Sequence, residues 1–203
     1  MDLHIESNCD SAPRMALGID PGRTGGRVLL AEVEGGGHRL LDAWTAHGDW
    51  LSEVRWFDTT GLTVEREPEG HDGYIVAIED PGVVRADGFQ AAPTRTLAHE
   101  VGFWRGLAHG AAWPIAAVVL VAPSEWQADA GIARGGCART GDTTKRQARE
   151  LAGALLGADV ARKLRGDGQV DAALIAWWAL RAVRAQFGPG KARGGKLGAG
   201  DAP

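Results

Sequence analysis

The amino-acid sequence predicts an α/β fold built on a mixed five-stranded sheet, in which an antiparallel meander precedes parallel strands and helices flank the sheet. Three strand-like segments within the first 45 residues are separated only by short glycine-rich turns, a pattern typical of hairpins. The apolar segments 74–78 and 115–121 are separated by a stretch with helical spacing, and such a crossover joins parallel strands. Helical periodicity dominates the last third of the chain.

The meander is expected to contain three strands. Residues 15–20 (MALGID) predict a strand that ends in an acid, followed by a glycine-rich turn at 21–26. Residues 27–34 are apolar enough for the second strand, and the three glycines at 35–37 predict a hairpin turn. Residues 39–45 then form the third strand, so all three pair as an antiparallel meander.

The middle of the chain predicts the parallel part of the sheet. The stretch 46–73 is polar, and we expect it to be irregular, with its tryptophans packed onto the body of the domain. The sequence YIVAI at 74–78 predicts a buried strand that leads into Glu79. Apolar residues at helical spacing predict a helix over 94–109, and the β-branched run at 115–121 predicts a strand covered on both faces.

Helices are predicted for the remainder of the chain. Pro123 is a suitable first residue for a short helix. The glycine-rich, basic stretch 131–142 predicts a mobile loop. A helix is expected from about residue 142 to 156, and a final helix over 170–187.

The composition fits one soluble domain with tails. Hydrophobic residues make up 44% of the 203 residues, which is enough to form a core. We assign 15–187 to the domain, 1–14 to a flexible leader and 188–203 to a disordered basic tail. The longest uncharged apolar run, 111–122, is shorter than the ~20 residues that span a bilayer. With no signal-peptide pattern and too few cysteines for a disulfide framework, we expect a cytoplasmic protein.

Charge is distributed unevenly along the chain, whose net charge is -4. Residues 134–203 contain 13 of the 22 basic residues and only 6 of the 26 acidic ones. Such asymmetry indicates a polyanionic partner, although basic tails are also common in proteins without one.

Four acidic residues fall where one edge of the predicted sheet could collect them. Asp20 and Glu79 each end a predicted strand, while Asp167 and Asp171 lie four residues apart at the start of the last helix. Acids at that spacing share a helix face. Converging carboxylates repel one another unless cations separate them, and hard oxygen ligands select Mg²⁺ or Mn²⁺. Two such ions roughly 3.5–4 Å apart would clamp the attacking and leaving oxygens of a phosphodiester.

The acids also have purely structural interpretations. Asp20 could stabilise its turn through an Asx interaction, and Asp171 could cap a helix. Other chemistries find less support, because the histidines show no HxH or HxxxH metal spacing and no G-x-S-x-G nucleophile motif is present.

Several segments resemble RuvC-type Holliday junction resolvases, in particular their bacteriophage branch. LGIDPGRTGG resembles the first motif of that family, and AIED resembles its second-strand glutamate. APSEWQADAGI is similar to a P-x-x-W-K segment, with Gln127 in place of the usual lysine. KRQARELAGALL resembles the helix that opens with a lysine, and DGQVDAALIA resembles the terminal motif. The resemblance covers about residues 15–185 and implies the RNase H-like fold.

The resemblance also implies a site. Asp20, Glu79, Asp167 and Asp171 would bind two Mg²⁺ ions, for which Mn²⁺ would substitute. Lys145 would approach the scissile phosphate as a cation; its alternative is an ordinary solvated helix residue. The last two acids are three residues apart in the family's cellular members and four apart here.

The implied activity is cleavage of four-way DNA junctions by a homodimer that makes paired nicks in opposing strands. A metal-activated water would attack the phosphodiester, and a two-fold dimer would match a two-fold junction. Neither a membrane nor a nucleotide cofactor is expected. Binding would depend on basic residues that contact phosphates. The candidates are Arg134, Arg139, Lys145, Arg146 and Arg149.

Three rival functions fit parts of the sequence. Actin-like and sugar-kinase ATPases also begin with G-I-D-x-G, but this chain is too short for the duplicated domain that they need. A protein of the same fold could bind branched DNA without cutting it, although the presence of all four acids argues against this. A related nuclease could prefer flaps, forks or RNA–DNA hybrids, because carboxylates determine the chemistry and leave the substrate open.

Overall fold

A computed structural model describes residues 13–22, 24–46, 49–66, 73–80, 91–111, 114–132 and 141–187. The strands are β1 (Met15–Ile19), β2 (Gly26–Glu32), β3 (His38–Thr45), β4 (Tyr74–Glu79) and β5 (Ile115–Val121). The helices are α1 (Trp50–Arg66), α2 (Ala91–Gly110), α3 (Pro123–Ala130), α4 (Gly141–Leu156), α5 (Ala158–Lys163) and α6 (Asp167–Phe187).

The strands form one five-stranded sheet in the order β3-β2-β1-β4-β5. Strand β2 runs antiparallel to both β1 and β3, whereas β1, β4 and β5 are parallel to one another. The predicted mixed sheet, with a meander followed by parallel strands, is therefore confirmed.

Alternating side chains of the strands form two apolar cores, one on each face of the sheet. On one face, residues such as Ala16, Val28 and Ile75 pack with α3, α4 and α6. On the other face, residues such as Leu17 and Leu29 pack with the aromatic residues of α1 and α2. Helix α6 is the central element of the first layer, since its residues from Ala172 to Leu180 are all buried.

Helix α1 corrects the prediction that 46–73 is irregular. The buried residues of this helix recur at helical spacing, so the segment has one face that packs onto the domain even though its overall composition is polar. They are Glu53, Trp56, Phe57, Thr60 and Gly61. Trp56 packs into the core as expected, whereas Trp50 is 47% exposed. The short helix α5 was also absent from the prediction.

The predicted tails lie at or beyond the limits of the described residues. Only Pro13 and Arg14 of the leader at 1–14 are described, and the tail at 188–203 is outside, so both assignments stay predictions. The strands and helices of the described residues all fall within 15–187. In the part of the chain that the structure describes, no helix is both long enough and apolar enough to cross a membrane.

Candidate active site

Asp20 and Glu79 lie side by side at the carboxyl ends of β1 and β4. The two strands are parallel and their last paired residues are Ile19 and Ile78, so the acids that follow occupy equivalent positions. Alternation along each strand directs both side chains to the face covered by α6, because Ala16 and Ala77 belong to the core on that face. The predicted convergence of two strand-ending acids is thus present.

Asp171 approaches the same edge of the sheet because the beginning of α6 lies very close to β1 and β2. A Cβ atom on Gly18 would lie 1.9 Å from the carbonyl oxygen of Ala172, and one on Gly26 would lie 2.1 Å from that of Gly168. Gly168 also forms a bridge with Gly25. Only glycine permits such backbone contact, and this contact determines how far α6 extends toward Asp20.

The three carboxyl groups share a half-buried region where negative charge is costly. The pKa of Asp20 is raised to about 8, mainly by burial and to a smaller extent by the charges of Glu79 and Asp171. Burial first, then the charges of Glu79 and Asp167, raise the pKa of Asp171 to about 7, against the effect of Lys145. Burial also raises the pKa of Glu79. We call Asp20, Glu79 and Asp171 the carboxylate cluster.

The carboxylate cluster has the donor chemistry for a hard divalent cation. Its members are oxygen ligands whose mutual repulsion a cation would relieve. Across the described ranges, however, no group of three or more His, Cys, Asp or Glu side chains is already gathered closely enough to hold a metal ion.

Trp126 of α3 holds Glu79 in place. The indole Nε1 donates a hydrogen bond to Glu79 Oε2 over 2.8 Å, and the Trp126 side chain is 1% exposed. Pro123 is the first residue of α3, and the Glu125 carboxylate accepts a hydrogen bond from the N–H of Ala122, which stabilises the start of the helix. The P-S-x-W motif therefore positions a site carboxylate. This contact joins residues 47 positions apart, and no pattern in the sequence indicates it.

Asp167 is placed differently from the other three acids. Its Oδ2 lies 3.2 Å from Lys145 Nζ and its Oδ1 lies 3.1 Å from Arg149 Nη2, and its side chain is 41% exposed. The hydrogen bonds from Arg149 and Lys145 hold the pKa of Asp167 below its usual range. Asp167 thus lies at the rim of the carboxylate cluster, paired with two cations of α4.

The basic residues predicted to bind DNA are only partly described. Lys145 and Arg149 lie beside the site, where both form ion pairs with Asp167. Arg146 is exposed and forms an ion pair with Glu150, one turn further along α4. Arg134 and Arg139 lie outside the described residues, as does most of the predicted loop at 131–142.

A buried cation on the opposite face of the sheet supports the strand end that carries Asp20. Arg27 is 2% exposed, and its Nη1 donates hydrogen bonds to the carbonyl oxygens of Asp20, at 2.6 Å, and Gly26, at 3.1 Å. Its guanidinium lies 4.8 Å from the centre of the Trp104 ring and forms an ion pair with Glu53. Sequence reasoning missed this residue, because Arg27 appeared only as the first residue of an apolar strand.

The raised pKa of Asp20 predicts a stability profile. A carboxyl group whose pKa is higher in the folded chain than in the unfolded chain destabilises the fold as pH rises. The loss of folding stability begins as the pH rises above 3.8, the ordinary pKa of an aspartate, and is complete above about pH 8, the pKa of Asp20 in the folded chain. In EDTA, Asp20→Asn is therefore expected to raise Tm at pH 8.5 by about 3 °C or more, with little effect at pH 4. Thermal unfolding at both pH values measures this, with Asp58→Asn, an exposed α1 residue, as the control. Equal shifts at both pH values would contradict it.

Comparison with known proteins identifies the fold. The chain is similar to T. thermophilus RuvC in complex with Holliday junction substrate, with a TM-score of 0.54, 19% identity and coverage of 86% of this chain and 96% of that one. A second Thermus thermophilus RuvC structure gives a TM-score of 0.53 at 21% identity, covering 85% of this chain and 96% of the other. The yeast mitochondrial Holliday junction resolvase Ydc2 gives 0.52 at 16% identity, covering 87% and 80%.

These likenesses confirm the predicted fold class, the RNase H-like fold seen in RuvC-type resolvases. No protein-family model and no curated protein matches the sequence. The bacteriophage branch named by the sequence resemblance accordingly stays a prediction.

Proposed function

We propose that the chain is a metal-dependent endonuclease that cleaves four-way DNA junctions. The observation that carries this proposal is the carboxylate cluster, three half-buried acids from β1, β4 and α6 beside two cations of α4. Two of the similar structures are described as Holliday junction resolvases or their complexes with the junction, which supports this substrate class.

Mg²⁺ is the proposed cofactor, with Mn²⁺ as a substitute, and the cluster would hold it. When bound, such an ion supplies a Lewis acid that activates water and neutralises charge on the phosphate. Asp20 and Asp171 must give up their protons for this, since their pKa values are about 8 and about 7 without a cation. We therefore expect cation affinity to rise steeply from pH 6 to pH 8.

The remaining residues orient the cluster and the DNA. Trp126 holds the Glu79 carboxylate in place through the hydrogen bond from its indole Nε1. Lys145 and Arg149 are exposed cations on the same side of the cluster, where a phosphate of the DNA backbone would meet them. Two copies of the chain related by a two-fold axis would place two clusters on opposing strands of a symmetric junction.

Cleavage of a labelled synthetic four-way junction tests the proposal. The junction is compared with duplex, flap and RNA–DNA hybrid of the same sequence in Mg²⁺, Mn²⁺ or EDTA. We expect metal-dependent nicks in pairs, at symmetric positions on opposing strands, and confined to the junction. Asp58→Asn is the matched control for variants of the cluster, since it removes an exposed aspartate from α1.

Each other outcome has a distinct meaning. Equal cutting of flaps or hybrids would retain the chemistry and replace the substrate. Tight junction binding without cutting in any metal would make the chain a branched-DNA-binding protein. Single unpaired nicks would contradict the proposed homodimer.

Trp126→Phe is expected to lower the cleavage rate by about tenfold or more, because residues that orient metal ligands typically contribute 10–100-fold. Trp178→Phe is the matched control, because Trp178 Nε1 donates a comparable hydrogen bond of 2.8 Å to Asp129, which is outside the cluster. Cleavage kinetics and thermal unfolding are measured for both variants. If the two variants lose stability equally and cut equally well, the positioning role of Trp126 is wrong.

A further inference from the structure

Asp167 is the acid that the sequence grouped with the metal ligands, yet its contacts are those of an anion held by cations. Lys145 and Arg149 lie one turn apart on α4 and converge on its two carboxylate oxygens, at 3.2 and 3.1 Å. Its carboxylate is 41% exposed, whereas Asp20, Glu79 and Asp171 are desolvated enough to raise their pKa values. Asp167 thus faces α4 rather than the edge of the sheet where the carboxylate cluster lies.

We propose that Asp167 is a placeholder for a backbone phosphate of the nucleic acid, and that Lys145 and Arg149 together form the phosphate subsite beside the carboxylate cluster. The inference rests on the proposed function and assigns its phosphate contact. A carboxylate and a phosphodiester are both anions with two oxygens available to accept charge-assisted hydrogen bonds from such a pair. The ion pairs around Asp167 order the two long cationic side chains before the phosphate displaces the carboxylate.

The ion pairs of Asp167 with Lys145 and Arg149 are weak enough for a phosphate to displace the carboxylate. Exposed ion pairs contribute little to stability, because water and salt screen them and their side chains lose freedom. Lys145 is 57% exposed and Arg149 is 48% exposed, so a phosphate can reach both without unfolding α4. Release of the counterions condensed on the DNA adds to the driving force for this displacement, most strongly at low salt.

If a phosphate displaces the Asp167 carboxylate, Asp167→Asn is expected to improve DNA binding. Without the competing carboxylate, affinity for a fluorescein-labelled four-way junction in EDTA should rise by about two- to fivefold. The slope of log K against log salt should steepen by up to about 1, the contribution of one phosphate contact. Asp159→Asn is the matched control, because Asp159 is also an exposed aspartate paired with an arginine, Arg162 of α5.

Mn²⁺ binding, followed by isothermal titration calorimetry at pH 8, separates the placeholder from a metal ligand. Asp167→Asn is expected to keep the Mn²⁺ affinity within about twofold of the parent chain, whereas Asp171→Asn weakens it by about tenfold or more. This measurement needs neither DNA nor cleavage, so it is independent of the substrate.

The outcomes are distinguishable. A loss of Mn²⁺ affinity in Asp167→Asn as large as in Asp171→Asn makes Asp167 a ligand and overturns the inference. Junction affinity that is unchanged or lower in Asp167→Asn, or raised equally in Asp159→Asn, also overturns it. A parent chain that binds neither junction nor duplex overturns the proposed function together with the subsite. Tighter, more salt-dependent binding with retained Mn²⁺ affinity supports the placeholder.

Discussion

Asp20→Asn is expected to lower the rate of junction cleavage by about 10³-fold or more and to leave junction binding intact. A metal ion contributes several kcal/mol to stabilising charge in the transition state, and each 1.4 kcal/mol is about tenfold in rate. Asn lacks the charge that the cluster needs, and the substitution leaves the exposed cations of α4 unchanged. Glu79→Gln is expected to give the same result, because Glu79 is the neighbour of Asp20 across β1 and β4.

Single-turnover cleavage and fluorescence anisotropy with the same junction measure the two effects separately. Asp58→Asn serves as the control and is expected to cut at the parental rate. Cleavage by Asp20→Asn at a rate near that of the parent chain would remove the carboxylate cluster from the chemistry. Loss of binding together with cleavage would instead indicate that the variant disturbs the DNA-binding surface.

Gly18→Ala is expected to destabilise the domain by about 3 kcal/mol and to lower Tm by about 6–12 °C. The added methyl group would lie 1.9 Å from the carbonyl oxygen of Ala172 and 2.7 Å from the N–H nitrogen of Ala176, both backbone atoms of α6. Neither can rotate away, so α6 must move off the sheet. Since Asp171 moves with α6, a shift of about 1 Å is also expected to slow cleavage by about 10²-fold.

Gly102→Ala is the matched control, and its effect should have the opposite sign. Gly102 lies on α2, and a Cβ atom there would meet nothing within 4 Å. Alanine is the better helix former by about 1 kcal/mol, so this variant should be more stable than the parent chain. Urea unfolding of both variants gives the comparison. A Gly18→Ala chain within about 1 kcal/mol of the parent would show that the contact between α6 and β1 can relax.

Local sequence pattern was sufficient to predict most of the fold. Apolar runs bounded by glycine and proline turns predict the five strands, because side-chain alternation and turn chemistry act over a few residues. Local pattern did not predict helix α1, because its buried face includes Glu53 and Thr60. Composition alone assigns such polar residues to the surface. Burial of these polar residues depends on partners elsewhere in the fold.

The sequence predicted the acids of the candidate site but not the residues that hold them in place. Asp20 and Glu79 could be placed together from sequence, since parallel strands bring their carboxyl ends to one edge. Trp126 could not be assigned to Glu79, because their hydrogen bond joins two elements whose relative position depends on packing. The same is true of Arg27, which supports Asp20 through the backbone from the opposite face of the sheet.

The sequence by itself determined the order of the five strands and of helices α2, α3, α4 and α6, together with the acids at the ends of β1 and β4 and the spacing of Asp167 and Asp171. Only the tertiary structure decided which of the last two acids enters the cluster. Both share one face of α6, but contact of Gly18 with Ala172 and of Gly26 with Gly168 fixes the position of that helix on the sheet. Asp171 therefore lies against the half-buried edge, while Asp167, one turn earlier, meets the cations of α4. Helical periodicity determines the angle between two residues, and packing determines what each of them faces.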